Sequence, residues 1–383
     1  MKIEKAKLFH LNIHFKVDFV HAMASRSYSD SIIVMLEGEG FKGYGEAVVR
    51  DYVSGSLGEK TDILRNARTA ANEIIELLGV KERDFTAAEL KRNLKSLKIE
   101  NPHLPVLCAV ETALLDILCR EEKKDIYELL TTQPLRERVI YGGTLPILPL
   151  KAAEQLLNGF KKLKITNLRV KLSNDTEYSK EILKKARHIL GENFDLRVDA
   201  NASWNLESAF SNLKICREYG ILTVEQPFKR ESEYFPKLLN SPQAKDFHFV
   251  ADESALTEED IYNAWRNRSF DMINIRLSKN GGLFKSLFLA ENAEKYGIKY
   301  QVGCHVGETG ILSSVGRVFA SLVKDPVYAD GSYDEYLLTE NITKTNLTFG
   351  AGGEARIIRG RGLGFEIDEK NLRRLSIETT EYF

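Results

Sequence analysis

The sequence predicts an α/β protein: a (β/α)₈ barrel of the TIM type, preceded by an α+β domain. From about residue 137, short apolar strands alternate with helical stretches, which indicates a parallel sheet. A charge lies at the carboxyl end of each strand, and these charges recur every 26 to 29 residues. Carboxyl ends converge on one face of a barrel, whereas an open sheet spreads them along a line. A barrel therefore brings together Lys171, Asp199, Glu225, Asp252, Lys279 and Glu308.

The individual barrel strands are predicted from short apolar runs. They cover residues 168–173, 196–200, 222–226, 248–252, 272–277 and 300–304. The stretches between them have apolar residues at helical spacing, as in 175–190 and 282–297.

The chain on either side of the barrel has a different pattern. Residues 31–49 alternate and turn at Gly38–Gly40, which predicts a hairpin, and helical spacing follows at 60–80, 86–97 and 105–120. Strands followed by helices indicate an α+β domain. After about residue 325 the repeat gives way to turn-rich chain, which we expect to pack back on the first domain. The predicted parts are therefore 1–128, 129–325 and 326–383.

Composition excludes several classes of protein. The formal net charge of -1 gives no long-range attraction to nucleic acid or anionic membranes. The four cysteines lie far apart, which argues against a disulfide framework or a structural zinc site. The longest apolar stretch, 104–119, is interrupted by Glu111 and Asp116 and predicts a core helix. With no signal-peptide pattern at the start, we expect a cytoplasmic protein without nucleic-acid or membrane partners.

Three carboxylates end three neighbouring strands. Asp199, Glu225 and Asp252 would repel one another strongly if they lay ionised and unpaired at the same level. A divalent cation between them removes that repulsion. An all-oxygen set without histidine or cysteine suits Mg²⁺, so the pattern predicts a magnesium site with positions left for a substrate.

Two lysines bracket these carboxylates. We expect Lys171 and Lys279 to approach the metal from opposite sides of the barrel and to act as acid and base. Arg169 lies on the same strand face as Lys171 and would lower its pKa. A metal bound to a substrate carboxylate stabilises the enediolate that forms when the α-proton leaves. The residues thus predict proton abstraction next to a carboxylate of a small molecule.

Several motifs resemble those of a known family, the enolase superfamily, and specifically its muconate lactonizing enzyme (muconate cycloisomerase) subgroup. The resemblance covers almost the whole chain, including a capping-domain region at 43–55 and a helix at 109–118. The barrel motifs that carry it are LRVDAN (196–201), VEQPF (224–228), VADES (250–254) and IRLSKNGG (275–282).

The resemblance implies a modified barrel with a capping domain, a homo-oligomer, and Mg²⁺ or alternatively Mn²⁺ as the cofactor. It implies Asp199, Glu225 and Asp252 as metal ligands and Lys171 and Lys279 as acid/base lysines. It also implies that Asn201 supports the metal site and that Glu308 is a pocket or supporting group. The capping loop at 19–31 would cover the pocket, with Arg26 available to a second substrate carboxylate.

Two residues depart from the family pattern. Arg169 stands where a lysine is usual, which makes the tuning of Lys171 less certain. Asp330 has Tyr328 in place of an acidic partner, which weakens a dipeptide epimerase interpretation. The leading interpretation is a cycloisomerase-like isomerase or lyase. The alternatives are a racemase or epimerase of N-acyl amino acids or dipeptides, an o-succinylbenzoate synthase-type dehydratase, another metal-dependent barrel lyase or hydrolase, and a non-catalytic binding barrel.

Overall fold

The structure, a computed structural model, describes residues 1–58 and 62–382. Its strands precede its helices at the N-terminal end, as the α+β prediction requires. The strands are β1 Lys5–Leu11, β2 Ile13–His21, β3 Ala24–Ser29, β4 Ile32–Gly38 and β5 Phe41–Ala47. The helices are α1 Asp51–Ser54, α2 Ile63–Leu78, α3 Ala87–Ser96, α4 Leu104–Glu121 and α5 Ile126–Leu129. Residues 60 and 61 of the helix predicted at 60–80 lie outside the described residues.

The helix α4 packs against the N-terminal sheet. The backbone of β5 approaches it closely because Gly43 and Gly45 have no side chain: a Cβ there would lie 2.1 Å and 1.9 Å from the carbonyl oxygens of Ala113 and Ala109. The helical stretch Asn101–Glu121 is long and apolar enough to cross a membrane, but 89% of its apolar window is buried inside the protein. It is the core helix that the sequence predicts.

Strands and helices alternate through the barrel. The strands are β6 Arg138–Ile140, β7 Gly143–Leu145, β8 Asn167–Lys171, β9 Asp195–Asp199, β10 Thr223–Glu225, β11 His248–Ala251, β12 Met272–Ile275 and β13 Lys299–Val302. The helices are α6 Leu150–Lys162, α7 Thr176–Leu190, α8 Leu206–Glu218, α9 Tyr234–Leu239, α10 Glu258–Asn267, α11 Leu277–Asn280, α12 Leu283–Tyr296 and α13 Gly310–Leu322. The remaining elements are α14 Asp334–Leu337, β14 Glu354–Arg356, α15 Glu369–Arg374 and β15 Ser376–Tyr382.

Seven of these strands form one parallel sheet, in the order β13-β12-β11-β10-β9-β8-β7. An extended segment at 327–330 lies between its two edges: Ala329 pairs with Val302 of β13, and its carbonyl accepts the Gly142 N–H at 2.8 Å. The α/β barrel with an N-terminal antiparallel sheet is therefore confirmed. Pairing aligns Lys171 with Asp199 and Asp199 with Glu225, so the strand-end charges lie side by side.

The C-terminal strand β15 joins the N-terminal sheet. The sheet order is β15-β1-β4-β5, and β15 runs antiparallel to β1. The boundaries at 128 and 325 stay a prediction.

Candidate active site

The three predicted metal ligands meet inside the barrel mouth. Asp199 and Glu225 are the last residues of β9 and β10, and Asp252 directly follows β11. None of the three side chains is exposed to solvent. Burial and the neighbouring Glu225 raise the pKa of Asp199, although Lys171 opposes them. Burial by itself would raise the pKa of Glu225, but the positive charges of Arg169 and Arg276 outweigh this effect and lower it. The site is thus a dense, buried set of opposite charges.

Glu225 is the most heavily engaged carboxylate. Arg169 Nη1 lies 3.0 Å and 3.1 Å from its two oxygens. The amides of Asn274 and Gln301 donate to the same two oxygens at 2.8 Å and 2.9 Å. The next guanidinium, Arg276, is 3.6 Å from Glu225 Oε1. These donors come from three other strands, so they fix Glu225 only once the barrel has closed.

The trio suits a divalent cation by its chemistry, since carboxylate oxygens are the ligands Mg²⁺ prefers. Every oxygen of the trio already accepts a hydrogen bond from a nitrogen; Asp199 Oδ1, for example, accepts the Asn201 N–H at 2.8 Å. Across residues 1–58 and 62–382, no three acidic, histidine or cysteine side chains already converge as a metal site. Arg276 donates to Asp252, so a cation bound by the trio would displace that guanidinium.

Lys171 reaches the cavity next to this trio. Its Nζ donates to Asp199 Oδ2 at 2.6 Å and to Asn201 Oδ1 at 2.8 Å. Asn201 holds a left-handed backbone conformation, with φ of 45°, two residues after the end of β9. Both residues line the cavity, and Asn201 binds Asp199 as well as the lysine.

Lys279 contacts the trio at Asp252 but does not line the cavity. It belongs to α11, is fully buried, and its Nζ donates to the backbone carbonyls of Asn274 and Asp252 at 2.6 Å and 2.8 Å, as well as to Asp252 Oδ1 at 3.1 Å. The cavity is lined instead by Arg276, the residue that directly follows β12. Strands β8 and β12 are four positions apart, which is half-way around an eight-position barrel. Arg276 is therefore the cation opposite Lys171.

One cavity of about 720 Å³ is lined by Arg169, Lys171, Asn201 and Arg276. His21, Tyr52 and His305 also line it, and Tyr52 Oη lies 3.2 Å from His21 Nε2. Burial, followed by repulsion from Lys171, lowers the pKa of His21 to about 2. Burial, followed by Arg276, holds the pKa of His305 well below its usual value. Both imidazoles are neutral, so the lining cations are lysine and arginine.

Glu308 lines the cavity near its cations. Its Oε1 accepts the backbone N–H of His305 at 2.7 Å. Burial raises the pKa of Glu308 to about 8, so this side chain is a mainly neutral carboxylic acid at pH 7. Its role as a pocket or supporting group stays a prediction.

Arg26 does not line the cavity. It pairs with Asp30 at 3.0 Å, and the region 19–31 is mainly the hairpin of β2 and β3, with His21 opposite Ala24. This hairpin contributes Val17, Asp18, Phe19 and His21 to the lining. A substrate contact for Arg26 therefore stays a prediction without support from its position.

Asp330 is buried inside the barrel, where it pairs with two arginines. Arg197 Nη2 holds both its oxygens at 2.7 Å, and Arg169 Nη2 lies 3.3 Å from it. Ser332, two residues later, lines the cavity. The carboxylate at 330 is thus neutralised by two arginines and faces no ligand space.

A cavity lined by a lysine and an opposing arginine, beside three buried carboxylates at the carboxyl ends of barrel strands, is typical of an enzyme built on an α/β barrel. Residues 150–371 match the model of the enolase C-terminal domain-like family. The chain belongs to this family, and the predicted enolase-superfamily membership is confirmed.

Relatives and solved structures agree with this assignment. An L-Ala-D/L-amino acid epimerase of Flavobacterium johnsoniae is 28% identical, covering 86% of this chain and 90% of that protein. An N-succinyl-L-Arg/Lys racemase of Bacillus cereus is 25% identical over 98% of both chains. A muconate lactonizing enzyme from Pseudomonas fluorescens, crystallised with muconolactone, superposes with a TM-score of 0.84, 20% identity and coverage of 98% and 99%. A dipeptide epimerase from Cytophaga hutchinsonii, complexed with Mg and D-Ala-L-Val, gives 0.85 at 20% identity over both whole chains.

These findings confirm an enolase-superfamily isomerase at the level of class. The predicted alternative, a racemase or epimerase, is the class to which the two sequence relatives belong.

Proposed function

We propose that this enzyme removes and returns the α-proton of a small carboxylate substrate, with Lys171 as the base. The observation that carries the proposal is the position of Lys171 Nζ, which lines the cavity while Asp199 and Asn201 hold it at 2.6 Å and 2.8 Å. A lysine fixed in this way can reach a proton on a substrate that lies above the trio.

Asp199, Glu225 and Asp252 would hold Mg²⁺, which suits an all-oxygen set. When bound, the metal stabilises negative charge on a substrate carboxylate. The dipeptide epimerase of Cytophaga hutchinsonii is complexed with Mg in its crystal structure, which supports the same cation here. Arg276 would leave Asp252 when the metal binds and would turn its guanidinium toward the substrate.

The two faces of the substrate then meet different groups. Lys171 can give and take a proton, whereas Arg276 stays charged at any working pH. We therefore expect exchange at the α-carbon to be faster than inversion. Racemase or epimerase chemistry, as in the two sequence relatives, is the outcome that we favour. It needs a proton donor on the face opposite Lys171, and Lys279 stays the predicted candidate for that role.

The test is proton NMR in D₂O with Mg²⁺, using N-acyl amino acids, dipeptides and muconates as substrates. We expect loss of an α-proton signal with at least one N-acyl amino acid, and no loss after chelation or in Lys171→Met. Lys285→Met is the matched control, because this partly buried lysine does not line the cavity and its Nζ donates to the Leu97 carbonyl at 3.0 Å. Unchanged exchange in Lys171→Met would overturn the proposal.

A further inference from the structure

Helix α6 has two apolar faces, although a helix on the outside of a barrel needs only one. Ala153 and Leu157 are fully buried in the barrel core. A second set on the neighbouring face lines the same cavity as Lys171: Ala152, Leu156, Gly159, Phe160 and Leu163. Leu156, Phe160 and Leu163 pack against the core on one side and line the cavity on the other.

The second face gives the cavity a long apolar branch. Ala152 and Leu163 are eleven positions apart, which corresponds to roughly 16 Å along a helix. A fully extended dipeptide spans only about 7 Å. The branch therefore reaches well beyond the space that a dipeptide at Lys171 would fill.

Gln155 and Lys162 of the same helix also line the cavity, whereas the opposite side of the branch is mainly aromatic. Phe19 comes from the β2–β3 hairpin, and Tyr333, Tyr336 and Phe349 come from the chain after the barrel. The ring of Phe349 lies 5.6 Å from Tyr333 and 5.1 Å from Tyr336, so these aromatic side chains form one packed cluster. Tyr336 is 46% exposed, and Val17, which also lines the cavity, is 62% exposed. Apolar surface thus continues from the branch to the solvent.

The polar part of the cavity selects for negative charge. Lys171 and Arg276 line it, whereas the carboxylates among its described lining residues are Asp18, which is exposed, and Glu308. Asp330 is held by two arginines and faces no ligand space. The cavity therefore lacks a buried, ionised carboxylate that could receive a substrate ammonium group.

We propose that the substrate is an amphiphilic carboxylate without a free ammonium group. Its carboxylate lies between Lys171 and Arg276, and an apolar chain longer than an amino-acid side chain fills the branch along α6. The proposed position of the substrate carboxylate rests on the proposed function. The proposed binding of an apolar chain along α6 does not depend on which reaction the enzyme catalyses.

The probes are N-acetyl-, N-octanoyl- and N-lauroyl-L-alanine, each below its critical micelle concentration. Their dissociation constants from the Mg²⁺-loaded enzyme are measured by isothermal titration calorimetry, and α-proton exchange is followed by NMR in D₂O. We expect the dissociation constant to fall at least tenfold from the acetyl to the lauroyl compound, because each buried methylene adds affinity.

Gly159→Phe tests the branch directly. Gly159 lies within α6, and an added Cβ meets nothing within 4 Å, so the ring can enter the branch without displacing the backbone. We expect lauroyl binding to weaken at least tenfold. Asn158→Phe adds the same ring to an exposed position of the same helix and should leave lauroyl binding unchanged. Leu156→Gln, of similar size but polar, provides a second variant.

The outcomes separate the two proposals. The proposal of an amphiphilic substrate would be overturned if all three chain lengths bound with equal affinity. It would also be overturned if neither Gly159→Phe nor Leu156→Gln weakened lauroyl binding. Chain-length-dependent binding without any α-proton exchange would overturn the proposed function and leave the branch in place. If binding is flat and Gly159→Phe instead changes the molar mass measured by light scattering, the face contacts a second copy, and the amphiphile is again excluded.

Discussion

Glu111 of helix α4 accepts the backbone N–H of Phe284, in the first turn of α12, at 2.8 Å. The contact joins the N-terminal part of the chain to the barrel and is completely buried. It lies just beyond the turn at Gly281 and Gly282 that follows Arg276 and α11. Helix α4 of the N-terminal part therefore holds in place the segment between Arg276 and α12.

Glu111 should make stability depend on pH. Burial raises its pKa to about 8, against about 4.5 in an unfolded chain, so the folded protein binds the extra proton between these values. Its contribution to the free energy of unfolding is therefore full below pH 4.5 and is lost as the pH rises toward 8. Thermal unfolding from pH 4.5 to 8 should show a smaller decrease in Glu111→Gln than in the wild type. Parallel curves would contradict this role.

The turn before α12 should tolerate no side chain. Gly282 has φ of 107°, and a Cβ there would lie 2.1 Å from Glu111 Oε2. Gly282→Ala should lower the free energy of unfolding by at least 1–3 kcal/mol from backbone strain alone. Gly297→Ala is the control, since its φ is 69° and its Cβ would meet nothing within 4 Å. Denaturant titration of both variants measures the difference in their free energies of unfolding. If both variants lose the same amount of stability, the contact between position 282 and Glu111 does not explain the loss.

The two buried lysines should behave differently when substituted. Lys171→Met should slow α-proton exchange by about 10²–10⁴-fold, because it removes a base. It should also lower stability, because it leaves the buried Asp199 with one cation fewer. Lys279→Met should mainly lower stability, because it leaves the buried Asp252 with one cation fewer. Exchange rates and unfolding curves of both variants show which lysine is needed for exchange and which for stability. Abolished exchange with unchanged stability in Lys279→Met would restore Lys279 as the acid/base group.

Arg276→Lys should change the stereochemical course. A lysine at this position can exchange a proton on the face opposite Lys171, which the guanidinium does poorly. We expect the ratio of racemisation to exchange to rise at least tenfold, measured by chiral chromatography beside NMR. Arg276→Met supplies the control without a cation and should not raise this ratio. An unchanged ratio in Arg276→Lys would show that position 276 does not set the course.

The regular spacing of charges indicated which strand ends meet, but it did not indicate Arg276, which lines the cavity. Lys171, Asp199 and Glu225 end their strands, and Asp252 and Arg276 follow theirs directly. Lys279 continues the 27-residue spacing but lies four residues beyond the end of β12, because the turn of helix α11 intervenes. The alternation in MINIR (272–276) places Asn274 and Arg276 on one strand face, and this signal could have identified the arginine.

Other features could not be predicted from local sequence. The donors to Glu225 come from residues 49 and 76 positions away, Asn274 and Gln301, and depend on how the barrel closes. The segment 19–31 was expected to be a covering loop, but cross-strand pairing such as Ile13 with Ser29 makes it part of a hairpin. Long-range pairing leaves little trace in a local pattern.

The pairing of β1 with β15 has a consequence for the order of folding. Phe9 pairs with Thr379, so β1 gains this neighbour only after the ribosome has made nearly four hundred residues. Until then one edge of the first strand is exposed and can pair with another chain. Nascent copies should therefore depend on a chaperone or on slow synthesis late in translation, and a stop codon before Ser376 should favour aggregation.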